Sequence, residues 1–296
     1  MSMNRREFLG SAAVAGAGLM VHPGTRHAMP AALGNIGVQL YTVRTEMEKN
    51  VEATLARIAA IGFKEVEFAG YFERTPAAIR DLLKANGLTA PAAHIDYNSL
   101  SEANLPKAID AAATIGHTFL VNPWIDETMR KQPDIWPRVA ATFNRAGEQC
   151  RKAGIQFAYH NHNFEFSSTA GPLPFDVLLQ RCDASLVKME LDLCWVEGSG
   201  LDPVTYFKKY PGRFPMVHVK DLTRVPTRAA AEKTALSLDD LKKDMTDVGK
   251  GVIDWKRILA SAGPAGVKHY FVEHDAPAAP FDSITASYGY LRKLTF

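Results

Sequence analysis

From Ile36 onward, short apolar runs alternate with longer stretches in which apolar residues recur every three or four positions. Runs of four to eight residues bounded by Gly, Asn and Pro predict strands, and the amphipathic stretches between them predict covering helices. Strands are expected at Ile36–Tyr41, Glu65–Phe68, Leu88–Ile95, His117–Trp124, within Ile155–Phe166, and at Leu186–Leu193, Phe214–Lys220 and Val267–Glu273. Helices are expected over about Asn50–Ile61, Thr75–Asn86, Ser101–Ile115, Asp134–Ala153, Phe175–Arg181, Pro203–Tyr210, Trp255–Ala262 and Phe281–Leu294. Gly62, Gly87 and Gly154 follow three of these helices as stop signals, and Pro76 occupies a favoured first turn. Eight strands alternating with eight helices point to an α/β chain closed as a (β/α)8 TIM barrel, and no glycine-rich dinucleotide loop favours an open sheet instead. Thr223–Lys250, where Arg, Thr, Ala and Lys crowd together, is expected to be one long loop after strand seven, a place where barrels put lids and substrate contacts.

The first thirty residues carry a different pattern. Asn4-Arg5-Arg6-Glu7-Phe8-Leu9-Gly10 precedes a weakly apolar, Ala- and Gly-rich run from Ser11 to Val21, then Pro23 and Gly24. This is the layout of an export signal, too short for a permanent span. The Arg-Arg-x-Phe-Leu core resembles the twin-arginine signal. It divides the chain into a signal, 1–30, and a barrel domain, 31–296, and implies a periplasmic protein that meets the twin-arginine translocase during export.

The candidate chemistry gathers where apolar runs end. Side chains alternate faces along a strand, so His160 and His162 point the same way, with Glu165 just past the strand end. Met189-Glu-Leu-Asp192, Met216-Val-His-Val-Lys220 and Tyr270-Phe-Val-Glu273 have the same build. Imidazoles and carboxylates at the C-terminal ends of parallel strands make an N/O site suited to a divalent ion. A carboxylate such as Asp192 inside an apolar run is costly to bury unless a cation compensates it. Lys220 shares a face with His218. His94 lies at the tip of strand three, Trp124 at the tip of strand four, and Glu67, Gln39 and Tyr41 are placed to line the mouth. His22, His27, His117 and His269 carry no expected chemistry.

Composition mainly removes alternatives. The 296 residues are 47% hydrophobic and 22% charged, which fits a globular chain. A net charge of +2 with no Lys/Arg stripe makes nucleic acid a poor partner. Cys150, Cys182 and Cys194, odd in number and with no CxxC, are expected as buried apolar side chains.

Tyr159-His-Asn-His-Asn-Phe-Glu-Phe166, Glu190-Leu-Asp192, His218-Val-Lys-Asp221, Gly249-Lys-Gly-Val-Ile-Asp-Trp255 and Val272-Glu273 together resemble the sugar phosphate isomerase/epimerase superfamily with its xylose isomerase-like barrel. The similarity spans about Ile36 to Phe296. It implies one divalent ion (manganese, magnesium, zinc or cobalt) held by groups from strands five to eight. Carried over position by position, these are Asp192, His218 and Glu273. On strand five, Glu165 is favoured, with His160 or His162 as its replacement.

Such an ion polarises a carbonyl and stabilises the enediolate formed when a neighbouring C–H is deprotonated. Glu165, His162 and Glu273 are the candidate bases, Lys220 the group for a substrate oxygen, and His94, His160, Glu67, Trp124 and Gln39 the candidate substrate contacts. The expected function is a sugar isomerase/epimerase or lyase acting on an unphosphorylated sugar or an oxidised (3-keto) glycoside, because phosphorylated sugars are mainly cytosolic. Gly249 and Gly251 leave a phosphate loop open. The alternatives are a metal-dependent hydrolase or endonuclease-like enzyme on the same barrel, and a non-catalytic sugar-binding protein. Self-association to a homo-oligomer is left open.

Overall fold

A computed structural model describes residues 33–167, 171–234 and 237–296. The expected twin-arginine signal, 1–30, lies outside the described residues. Eight parallel strands close into a barrel: β1 (Ile36–Gln39), β2 (Glu65–Phe68), β3 (Thr89–His94), β4 (Phe119–Asn122), β5 (Gln156–His160), β6 (Val187–Asp192), β7 (Met216–Val219) and, last, β10 (His269–Val272), which pairs with both β7 and β1. The eight expected strands are all present, mostly trimmed at their ends.

The helices form where the sequence caps them. Asn50 accepts from the Ala53 N–H at 2.8 Å to open Val51–Ile61, and Thr75 does the same for Ala78 ahead of Pro76–Asn86. Gly87 ends the latter in the left-handed region, φ 62°. Most of the hydrophobic core lies between these helices and the outer faces of the strands.

The barrel interior is filled separately. Ala92, Val121, Ala158, Met216 and Phe271 form a small buried apolar plug, with Phe119 packed against it. A strand repeats its face every two residues, so the next inward positions are His94, His160, His218 and Glu273, one step beyond the plug. The polar site is therefore the layer that the plug supports from below. Inter-strand register sets its members beside one another: Gln39 opposite Glu67, His160 opposite Glu190, and Asp192 opposite His218.

The segment expected as one long loop, Thr223–Lys250, is more ordered than that. It contains helices Arg228–Thr234 and Leu238–Lys243, and a two-stranded antiparallel ribbon joins β8 (Asp221–Leu222) to β9 (Met245–Thr246). Its polar composition hid a short amphipathic turn: Ser237 caps the second helix through the Asp240 N–H, and Leu241 is buried. Short helices at Arg44–Lys49, Glu127–Arg130 and Leu193–Gly198 were likewise not legible as separate elements. The three cysteines are free and buried.

Candidate metal centre

Four side chains from four adjacent strands converge at the C-terminal end of the barrel. His160 ends β5, Asp192 ends β6, His218 lies in β7, and Glu273 follows β10. Their candidate ligand atoms all lie within 4.8 Å of one another. Ion-to-ligand bonds of about 2.0–2.2 Å place opposite ligands about 4 Å apart, so this spacing suits one ion with slight contraction. Two imidazoles and two carboxylates are a donor set for a divalent transition metal or its harder relatives.

The fit can be tested on the residues themselves. Asp192 is fully buried; its Oδ1 accepts from the Trp195 N–H at 2.9 Å, while Oδ2 has no hydrogen-bond partner. Lys220 Nζ stands 3.0 Å from that oxygen, an ion pair without hydrogen-bond alignment. Oδ2 in turn lies 3.8 Å from His160 Nε2 and 4.0 Å from His218 Nδ1. A buried oxygen with an unused lone pair, facing two imidazole nitrogens, is what a cation would complete. The residues fit the ion.

Strand five is where expectation and geometry part. Glu165, favoured as the ligand, is not brought into the cluster. Its Oε1 accepts from the Tyr159 hydroxyl and its Oε2 from the His162 N–H at 2.8 Å, in a one-turn helix at Phe164–Phe166. Burial pushes this carboxyl up to about 7, against those two bonds. Tyr159 faces out of the barrel, on the opposite side of β5 from His160, so a carboxylate bound to it is turned away from the ion. Glu165 instead shapes the turn that carries His162, and the strand-five residue that the cluster contains is His160.

The layer beneath is equally polar. Glu190 Oε2 sits among His94 Nε2 at 3.0 Å, His218 Nε2 at 3.3 Å and His160 Nδ1 at 3.5 Å. Glu67 Oε2 accepts from Gln39 Nε2 at 2.8 Å and lies 2.7 Å from His218 Nε2. Gln39 and Glu67, expected to line the mouth, are fully buried in this floor and touch no chamber surface, because the register sets them level with Ala92 of the plug, one inward step below His94.

Above the layer opens a chamber of about 980 Å³. Of the residues the sequence singled out, Tyr41, His94, Trp124, His160, His162, Lys220 and Glu273 line it, together with Lys242 and Asp275. His162 packs edge-on against Trp124, ring centres 5.0 Å apart. Lys220 is buried and its Nζ meets Glu273 Oε2 at 2.7 Å and Asp275 Oδ1 at 2.9 Å. Asp275 was missed; lying two residues beyond Glu273, on the same face by alternation, it could have been found.

Electrostatics separates these groups. Burial lowers His160 to about 3, helped by the charge of His218, and takes His162 well below the usual imidazole range. Burial also opposes charge on His94 and His218, but neighbouring carboxylates win: Glu67 and Glu190 hold His94 at about 9, and Glu190, Glu273 and Glu67 hold His218 well above its ordinary value. For Asp192 burial prevails over Lys220 and His218, raising it to about 6. Glu190 and Glu273 are held well below the carboxylate range, burial being outweighed by His218 for the first and by Lys220 and His218 for the second. Five carboxylates (Glu67, Glu190, Asp192, Glu273 and Asp275) thus gather around Lys220, His94 and His218.

The turn Gly249-Lys-Gly251 is not open to phosphate. The Asp221 carboxylate already accepts from the N–H groups of Gly249 at 2.9 Å, Gly251 at 3.3 Å and Ile253 at 3.3 Å, and from Trp255 Nε1 at 2.9 Å.

The profile of the family described as xylose isomerase-like TIM barrel matches residues 55–294. An inosose dehydratase of Lacticaseibacillus casei is 26% identical over 269 residues, covering 82% of this chain and 89% of that one. Among solved structures, a sugar phosphate isomerase/epimerase from Parabacteroides distasonis superposes with a TM-score of 0.72 at 24% identity, over 90% of this chain and 96% of the other. The IolI protein with a bound zinc atom gives a TM-score of 0.67 at 12% identity, over 86% and 96%.

Proposed function

Because the chain belongs to the xylose isomerase-like TIM barrel family, we propose that it is a divalent-metal-dependent lyase or isomerase/epimerase that enolises a ketone on an unphosphorylated sugar, cyclic polyol or 3-keto glycoside. The observation that carries this reading is the convergence of His160, Asp192, His218 and Glu273 beside the chamber. Elimination is the favoured outcome, in keeping with relatives named inosose dehydratase. The zinc atom of the IolI structure supports the metal.

His160, Asp192, His218 and Glu273 would hold a divalent ion, which would supply Lewis-acid stabilisation of the negative charge that enolisation develops on a carbonyl. The protein's own groups handle the proton. His162, kept neutral by burial and lining the chamber, takes the hydrogen from the carbon beside the carbonyl. The C–H electron pair moves toward the carbonyl oxygen. Returned to carbon, it gives an isomer or epimer; used to expel a β-oxygen substituent, it gives an unsaturated ketone plus water or an alcohol. The Lys220 ammonium, aimed by Asp275, donates the proton that the departing oxygen needs. His94 and Trp124 contact the substrate's hydroxyls and ring face.

Two features narrow the substrate. The turn that could bind phosphate is filled by Asp221, and the chamber is lined by Asp96, Asp126, Glu273 and Asp275 against Lys220 and Lys242, which makes no basic groove for a nucleic-acid backbone and disfavours the endonuclease reading. The Arg5-Arg6 segment supports export through the twin-arginine translocase to the periplasm, where substrates without phosphate are at hand. Changing both arginines to lysine is expected to retain the protein in the cytoplasm on fractionation.

The decisive experiment incubates metal-loaded protein in deuterium oxide with inososes and 3-keto glycosides. Deuterium at the carbon next to the carbonyl, with release of water or aglycone, is expected. Neither exchange nor release from any of them would overturn the proposal.

A further inference from the structure

The two histidines of the centre each present one ring nitrogen upward and one downward, and the downward ones meet carboxylates. His218 Nδ1 faces Glu273 Oε2 at 2.7 Å and Asp192 Oδ2 at 4.0 Å, whereas its Nε2 lies 2.7 Å from Glu67 Oε2. His160 faces Asp192 Oδ2 with Nε2 at 3.8 Å and Glu190 Oε2 with Nδ1 at 3.5 Å, an approach of charge without hydrogen-bond alignment that a small turn of the ring onto an ion would close. The upper nitrogens therefore belong to different ring positions in the two residues, because the rings enter the barrel from different strands.

A neutral imidazole carries one N–H and one lone pair, and only the lone pair binds a cation. A carboxylate that accepts the N–H fixes which nitrogen is free and holds the ring plane. We propose that Glu67 and Glu190 are positioning residues for the metal: Glu67 holds His218 with the proton on Nε2, and Glu190 holds His160 with the proton on Nδ1, so that two opposite tautomers converge on one ion. This rests on the reading of the centre as a resident-metal site.

The rest of the floor fits this role. Glu67 is itself fixed by the Gln39 amide, whose Oε1 accepts from the Tyr41 N–H at 3.0 Å. Glu190 is fixed by His94 Nε2 at 3.0 Å. Both carboxylates are fully buried and neither lines the chamber, so they are placed to act on the rings and not on a substrate. His94, His160, Glu190 and His218 could also be taken for a second ion site, since their candidate atoms likewise lie within 4.8 Å of one another. It shares both imidazoles with the upper set, and an ion there would compete for the rings. The carboxylate that centres it, Glu190, has no access to the chamber.

The test reads ring state and affinity, not turnover. Nitrogen–carbon correlation spectra of the zinc-loaded protein are expected to show His218 ligated through Nδ1 with a proton on Nε2, and His160 ligated through Nε2 with a proton on Nδ1. Glu67→Gln and Glu190→Gln are expected to weaken zinc binding by roughly 10- to 100-fold each, with circular dichroism unchanged. Zinc binding by the unaltered protein with the reverse ring nitrogens, or folded variants that bind within twofold of it, would overturn the inference while leaving the metal reading intact. No zinc binding by the unaltered protein would overturn both. Should either variant fail to fold, the spectra of the unaltered protein decide.

Discussion

Asp192 and Asp221 are both fully buried, stand near the C-terminal ends of neighbouring barrel strands, and belong to similar-looking sequence surroundings, yet they do opposite work. Asp221 spends its carboxylate on backbone N–H groups from Leu222, Gly249, Gly251 and Ile253 and on the Trp255 indole. Those bonds clasp the segment after β7 onto the barrel wall. Asp192 accepts a single helix-capping bond and leaves its second oxygen facing Lys220 and two imidazoles. A saturated buried carboxylate holds structure; one left short of partners, beside a chamber, is poised to bind something. Burial is the same in both, so it is the count of donors that separates a clasp from a centre.

The sharpest way to break this contrast is to remove each charge in turn. Asp192→Asn is expected to lower activity by at least about 10²-fold and to weaken metal binding comparably, while the thermal midpoint holds or rises, because a strained buried charge is gone. A large loss of stability, measured by calorimetry, would make Asp192 another clasp. Asp221→Ala should do the reverse. It strands several buried N–H groups, for a cost of about 3–5 kcal/mol, whereas metal affinity of the protein that remains folded should change less than about threefold. If metal binding collapses with the fold still intact, the division of labour proposed for the two residues is wrong.

This contrast also marks what the sequence could and could not disclose. The barrel was legible because each strand is a short apolar run with a helix on either side, and the period of two carried Asp192, His218 and Glu273 to one face. That same period, followed strictly, already favours His160 over Glu165, since Tyr159 and its partner belong to the outer face. What periodicity does not contain is depth. Gln39 and Glu67 obey the inward pattern but lie one step below the chamber, and only the register between strands, with Gln39 opposite Glu67 and Asp192 opposite His218, shows which inward residues share a level. The helices at Arg228–Thr234 and Leu238–Lys243 were missed for another reason: both are too short for a full apolar stripe, the first being tied down by Arg228 on the Phe166 and Ser199 carbonyls and the second by its Ser237 cap and the buried Leu241.

The clasp itself can be probed more gently. A Cβ at Gly251 would overlap Asp221 Oδ1 and the Leu222 carbonyl. Gly251→Ala is therefore expected to cost about 1–3 kcal/mol by prising the turn from Asp221. Urea titration reads this, and additivity with Asp221→Ala would argue against a shared origin, because residues acting through one contact should fall short of their sum.

The smallest effect comes from a buried group that has an orphan atom but no chamber. His117, just before β4, puts Nδ1 2.6 Å from the Ala90 carbonyl and packs against Tyr71, and its Nε2 has no hydrogen-bond partner. Burial lowers it to about 4, against the bond to Ala90. An imidazole in the unfolded chain titrates near 6.5, so between these values the unfolded state binds the extra proton. Its contribution is whole above about pH 6.5 and is lost as pH falls toward 4. Between pH 7 and 5.5 this amounts to about 1 kcal/mol. The stability advantage of the parent over His117→Phe should shrink by that much over the same interval, whatever its size at pH 7. A constant difference would mean that His117 charges without penalty in the fold. A narrowing one, with activity unaffected, would show that an unpaired buried atom marks a site only where a chamber and a second charged partner adjoin it, as they do at Asp192.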